Sequence, residues 1–171
     1  MRPLTVDDAA VLATAYTVNR EHLAPWEPRR TPGFFTEPWQ RKDAEAKVAA
    51  AEGGQQHAWL IWQGEEVVGR VNLTNLARGV SQNASLGYWV DHRHTGRGIA
   101  TAAVQFALKR ATGLGLHRIE AGTLAHNEAS QVVLRRCGFT LIGTAPEYLF
   151  IAGTWQHHVL FQKILHRRPP E

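Results

Sequence analysis

The sequence predicts a mixed α/β fold, and three observations carry that expectation. Apolar residues recur at helical spacing in several segments, and β-rich runs bounded by glycine lie between them. One of those runs passes through a glycine turn directly into a helix.

Taken in order, Asp7 or Asp8 opens a first helix on which Val11, Leu12, Ala15 and Val18 share one face, ending near Asn19 and Arg20. Residues 22–38 hold Pro25, Pro28, Pro32, Pro38 and Gly33 among Trp26, Phe34 and Phe35, which reads as an aromatic loop because proline interrupts any regular helix. Residues 40–52 are good helix formers stopped by Gly53 and Gly54. Residues 57–62, 66–76 and 84–90 form an antiparallel meander, the first turn marked by Gly64. From Ile99 the set Ala103, Phe106, Ala107, Ala111 and Leu114 falls on one stripe, closed by Gly113 and Gly115, and this helix is expected to be the longest. A strand at 118–124, a helix at 127–136 stopped by Gly138, and strands near 139–151 and 154–164 complete the chain. No repeat or linker divides it, so one domain over residues 1–171 is expected.

Bulk properties exclude several classes. With 44% hydrophobic and 20% charged residues and no run of eighteen apolar ones, a globular chain is expected and a membrane span is not. The start lacks a secretory signal, which points to the cytoplasm. Cys137 is the single cysteine and has no internal disulfide partner. The net charge of +4 suits an anionic ligand, but basic residues are scattered apart from His166, Arg167 and Arg168, so no direct nucleic-acid binding is required. Among the nine histidines, the pairs His92/His94 and His157/His158 lack the cysteine or carboxylate spacing of a metal site, and none is expected.

Between the strand ending at Val90 and the long helix lies Asp91-His92-Arg93-His94-Thr95-Gly96-Arg97-Gly98-Ile99-Ala100. A helix N-terminus presents unpaired N–H groups, and glycines let the backbone approach a pyrophosphate. The segment is neither a Walker A loop nor Gly-x-Gly-x-x-Gly, since position 101 is Thr. Its form, Arg93-x-x-Gly96-x-Gly98, resembles the coenzyme A signature of the GCN5-related N-acetyltransferases, the GNAT family. Downstream, Asn127-Glu128-Ala129-Ser130 and Gly138-Phe139 resemble the Asn-x-x-Ser and Gly-Phe motif of that family, and Gly87-Tyr88-Trp89 and the element order agree. The resemblance covers nearly the whole chain.

It implies a central mixed, mostly antiparallel sheet of six to seven strands flanked by about four helices. It implies acetyl-CoA as donor, bound by Trp89, Val90, Arg93, Thr95, Gly96, Arg97, Gly98, Ile99, Ala100, Asn127 and Ser130. Asn127 is also a good N-cap, and capping alone would explain it. Ser130 stands where a capping box would want Glu or Gln, and the family places that serine beside the coenzyme A sulfur. The attacking amine must be neutral, and an α-amino group with a pKa of about 8 is closer to that than a lysine near 10.4. The family takes its oxyanion donor from the strand backbone near Trp89 and Val90. It implies direct transfer in a ternary complex, with Ser130 assisting the thiolate and no acyl-enzyme on Cys137.

Glu147, in Ala145-Pro146-Glu147-Tyr148-Leu149, resembles the glutamate segment of ribosomal-protein serine N-acetyltransferases and is the expected base; an exposed structural glutamate is the alternative reading, Tyr148 is the neighbouring alternative or a packing residue, and His126 and Glu120 flank the cleft or lie on the surface. Relatives with a Trp-Gln-Asp-His segment carry an acid where this chain has His157, so acceptor recognition there is expected to differ. The segment from Asn19 to Pro28 resembles the opening of the RimJ/RimL group, which acetylates the N-termini of ribosomal proteins. A small amine acceptor such as an antibiotic, polyamine or amino acid is the alternative, followed by a non-catalytic acyl-CoA-binding domain and a basic RNA-associated protein. A homodimer stays open.

Overall fold

The computed structural model describes residues 1–169; the last two positions of the expected domain, 170 and 171, lie outside them. Seven strands form one sheet in the order β1-β2-β3-β4-β5-β7-β6. They are β1 (Arg2–Pro3), β2 (His57–Gln63), β3 (Glu66–Ala77), β4 (Asn83–Val90), β5 (Arg118–Leu124), β6 (Thr140–Ile151) and β7 (Thr154–Ile164). Neighbours run antiparallel except β4 and β5, which pair in parallel. The helices are α1 (Ala9–Val18), α2 (Arg20–Leu23), α3 (Glu37–Glu52), α4 (Ile99–Gly113) and α5 (Glu128–Arg136).

Two apolar clusters cover opposite faces of the sheet. Trp59, Val71, Leu73 and Leu86 meet Ala103, Val104, Ala107 and Ala111 of α4 on one face. On the other, Leu60, Val67 and Trp89 meet Leu12 and Tyr16 of α1 and Ala44 of α3. The period-two alternation of each strand thus supplies both cores.

The helices depart from expectation in three places. α3 begins at Glu37 rather than residue 40 because Pro38 sits in its first turn, where a missing N–H costs nothing. At 16 residues it, and not the 15-residue α4, is the longest helix. The aromatic loop begins within the last turn of α2 and holds a 3-10 turn at Pro32–Phe35, where the buried Phe34 ring packs on Tyr16 at 4.8 Å. β1 was not expected; its two residues are held by β2, and Arg2 is anchored on the buried carboxylate of Asp8.

Candidate active site

The parallel contact between β4 and β5 stops after three residue pairs, Asn83 with Arg118, Ala84 with Ile119 and Ser85 with Glu120. Beyond Ser85 the strands part. On its other edge β4 stays bonded to β3, and Asp91 N–H donates to the Val68 carbonyl at 2.9 Å. Alternation of the antiparallel ladder then gives β3 the backbone groups of Gly87, Trp89 and Asp91, and turns those of Tyr88 and Val90 toward the opening. His22 Nε2 lies 3.2 Å from the Val90 carbonyl on that side. The available N–H donors belong to Tyr88 and Val90, whereas the expected Trp89 gives its backbone to the ladder. The Trp89 indole is buried and donates to the Tyr16 hydroxyl at 3.1 Å.

A cleft of about 530 Å³ runs from this opening to the start of α4. Gly96 and Gly98 have φ of +74° and +79°, and a Cβ at either would meet nothing within 4 Å. Gly98 caps α4 with no side chain at the N-terminus, so the first N–H groups of the helix are free for an anion.

Asp91 holds this turn in place. Its fully buried carboxylate accepts from the Arg93 backbone at 2.8 Å, from Arg93 Nε at 3.0 Å and from Asn19 Nδ2 at 2.9 Å. Burial opposes its ionisation, but the Arg93 and Asn19 hydrogen bonds outweigh burial and hold the carboxyl well below the usual carboxylate range. Asn19 Oδ1 in turn accepts the His92 N–H at 2.9 Å, which joins the end of α1 to the turn. Arg93, expected against the cofactor, faces Asp91 and Glu66 instead and does not line the cleft. Arg97 is exposed and does not line it either.

Across the cleft, Asn127 caps α5 by accepting the Ser130 N–H at 3.1 Å. The Ser130 hydroxyl lies 2.8 Å from the Tyr88 hydroxyl. Burial pushes the Tyr88 phenol up to about 12, against the opposing effect of that hydrogen bond. The phenol is therefore protonated at every pH of interest and can donate to Ser130. Tyr88 was read only as part of a motif; its spacing carried no sign that it would meet a serine 42 positions away.

Residues 1–140 match the acetyltransferase (GNAT) domain family. The chain belongs to the GNAT acetyltransferase family. The alanine N-acetyltransferase of ribosomal protein uS5 from Escherichia coli is 33% identical over 159 residues, covering 90% of this chain and 80% of that protein. The structure of the ribosomal-protein-S5-alanine acetyltransferase from Vibrio fischeri superposes with a TM-score of 0.94 at 31% identity, covering 99% and 94% of the two chains. Mycobacterium smegmatis RimJ in complex with CoA-disulfide follows at 0.91 and 32%, covering 95% and 80%.

As a GNAT acetyltransferase the protein is an acetyl-CoA-dependent N-acetyltransferase. Of the residues expected at the cofactor, Trp89, Val90, Thr95, Gly96, Gly98, Ile99, Ala100, Asn127 and Ser130 line this cleft. The Cys137 thiol is buried, points at the Thr101 carbonyl at 3.7 Å and is pushed up by burial, with Lys163 opposing; it lies outside the cleft lining.

Glu147 is not on the cleft wall. It is exposed on a bulge of β6, between pairs Ala145 with His158 and Leu149 with Gln156, with φ of +48°. His157 Nδ1 accepts the Glu147 N–H at 3.0 Å, so His157 pins the bulge. Tyr148 turns instead toward the sheet, its ring 5.4 Å from that of His158. Glu27 and His22 also line the cleft; both lie in the Asn19–Pro28 segment, where the sequence assigns neither a role. Among the described residues no three His, Cys, Asp or Glu side chains form a metal-binding group, and no helix is long and apolar enough to cross a membrane.

Proposed function

We propose that the acceptor of this acetyltransferase is the N-terminal α-amino group of a protein, a ribosomal protein first among candidates. The observation that carries this reading is the parting of β4 from β5. It leaves a passage beside the thioester position through which an extended chain end can bring its terminal amine. The two solved structures named above and the Escherichia coli relative support it through the acceptor or group their names carry. Acetylation of ribosomal proteins would place the enzyme in the cytoplasm. A homodimer is part of the proposal: the edge strand β6 exposes Leu141, Ile142, Leu149 and Phe150, with Trp155 of β7 beside them, and sedimentation would show whether a second copy covers them.

In the reaction the N–H of Tyr88 or Val90 is the donor available to the charge that develops on the thioester oxygen. Ser130, receiving the Tyr88 hydroxyl's proton in a hydrogen bond, directs its own hydrogen to the departing thiolate. The proton that leaves the amine balances the one gained by sulfur, so no enzyme group needs to change its covalent state. Glu147, from its exposed bulge, would take the amine proton only through intervening water.

Thiol release measured with N-terminal ribosomal peptides beside polyamines and aminoglycosides tests the acceptor. The expected result is turnover with peptides and a strong preference over the other amines. Turnover confined to small amines would overturn it. Glu147→Gln should depress kcat/KM most below the acceptor's pKa, by up to about 10²-fold to 10⁴-fold, and less at high pH; wild-type rates from about pH 6 to 9 would remove Glu147 from the mechanism.

A further inference from the structure

The charged side chains of the cleft divide by sign along its length. Arg136 stands at the α4 end, next to Cys137, whose thiol meets the Thr101 carbonyl. Glu27 stands toward the other end and is the one carboxylate among the described residues that line the cleft. Its backbone is tied on both sides: the N–H donates to the Leu23 carbonyl at 3.1 Å, and its carbonyl accepts the Ala152 N–H at 3.0 Å. The end of α2 is thereby fixed to the turn between β6 and β7. The side chain is only 19% exposed. Oε2 receives both Arg30 Nε at 3.2 Å and Arg30 Nη2 at 3.1 Å, and Oε1 has no hydrogen bond among the described residues. Beside it the Trp26 ring packs tilted against that of His126, centroids 5.4 Å apart, and continues the wall toward Asn127 and Ser130.

We propose that Glu27 Oε1 receives the ammonium of the acceptor, with the Trp26 indole as the adjoining face, so that Glu27 is an acceptor-binding residue of this enzyme. The inference rests on the reading that an amine enters the cleft from the β4–β5 opening, and it names the group that meets it. Near neutral pH an α-amine arrives mostly as its cation. A cation leaving water requires a partner, and an aromatic face adds attraction without supplying a hydrogen-bond acceptor. Arg30 occupies one oxygen and leaves the other open. The division of charge follows the two ligands, Arg136 toward the phosphates and Glu27 toward the amine.

The experiment compares wild type, Glu27→Gln and Arg30→Gln, using an N-terminal peptide and its des-amino analogue. Binding of each to the enzyme saturated with coenzyme A is followed by calorimetry, and acceptor KM by thiol release. Wild type should bind the amine form at least tenfold more tightly than the des-amino form, about 1.4 kcal/mol. Glu27→Gln should erase that preference and raise the acceptor KM at least tenfold, with the Kd for acetyl-CoA within a few-fold of wild type. Arg30→Gln, which breaks the ion pair but keeps the carboxylate, should retain the preference. Unchanged discrimination in Glu27→Gln would overturn the proposal, as would equal loss in both variants, which would assign the effect to loop support. If wild type turns over only polyamines, the peptide reading fails while the Glu27 assignment is still decided, by whether Glu27→Gln raises the polyamine KM tenfold or leaves it unchanged.

Discussion

Ser130 and Tyr88 show how one hydrogen bond can couple two elements at the reacting centre. Their hydroxyls lie 2.8 Å apart, and the Tyr88 phenol stays protonated because burial holds it near 12. Ser130→Ala should lower kcat while leaving the Kd for acetyl-CoA within a few-fold, since the lost interaction grows in the transition state. Tyr88→Phe should lower kcat by roughly threefold to tenfold, the worth of one neutral hydrogen bond of about 0.5–1.5 kcal/mol. The two losses should not add in the double variant, because Tyr88 acts through Ser130; fully additive losses in steady-state kinetics would separate them. Asp91 makes a stability prediction with a definite sign. Its native pKa lies below the unfolded value of about 3.9, so its contribution is complete above that pH and is lost as pH falls through the native value. Asp91→Asn should cost about 2 kcal/mol at neutral pH, the scale of a hydrogen bond to a charged group, and the gap from wild type should narrow in acid. Denaturant unfolding from about pH 7 down to pH 3 measures it.

At the scale of elements, the turn before α4 and the bulge of β6 are both departures from regular backbone, and they differ in what fills the space. Gly96 leaves room that no protein atom occupies, with φ of +74°. A side chain there would stand where the pyrophosphate belongs, so Gly96→Val should weaken acetyl-CoA at least tenfold, roughly 1.4 kcal/mol. Gly79, with φ of +64° and equally open space on the loop between β3 and β4, is the control for backbone strain. Gly79→Val should leave the affinity unchanged in titration calorimetry, and equal weakening by both variants would make strain the cause. The β6 bulge is held by His157 rather than by a ligand-shaped gap. His157 thus has a local physical role, the support of the Glu147 backbone.

At the scale of the whole molecule, the cleft is made by parts distant in sequence: α2 and its following loop, β4, the start of α4 and α5. A ligand seated there binds the native chain and not the unfolded one. Acetyl-CoA at a hundredfold excess over its Kd should add about 2.7 kcal/mol and raise Tm by roughly 5–10 °C for a chain of this size; no shift in a thermal scan would mean that the assembled cleft does not bind it. The division between what sequence and fold decide follows from range. Helical and strand periods, the glycine stops at Gly53, Gly113 and Gly138, and the strand-turn-helix run from Val90 to Ala100 are local, so the element order, the family resemblance and the glycine turn before α4 were legible in the sequence. The two-residue β1 exists only because β2 is beside it, and the early start of α3 was hidden by reading Pro38 as loop. Arg93 had the spacing of a cofactor ligand, but the buried Asp91 carboxylate two positions away draws its side chain inward. The sequence by itself determined the fold class and the family, and made the glycine turn and Ser130 candidates. Only the tertiary structure decided that Tyr88 meets Ser130, that Asn19 braces the turn, and that Glu27 rather than Glu147 stands on the cleft wall, because burial and pairing across tens of residues depend on packing and leave no trace in local spacing.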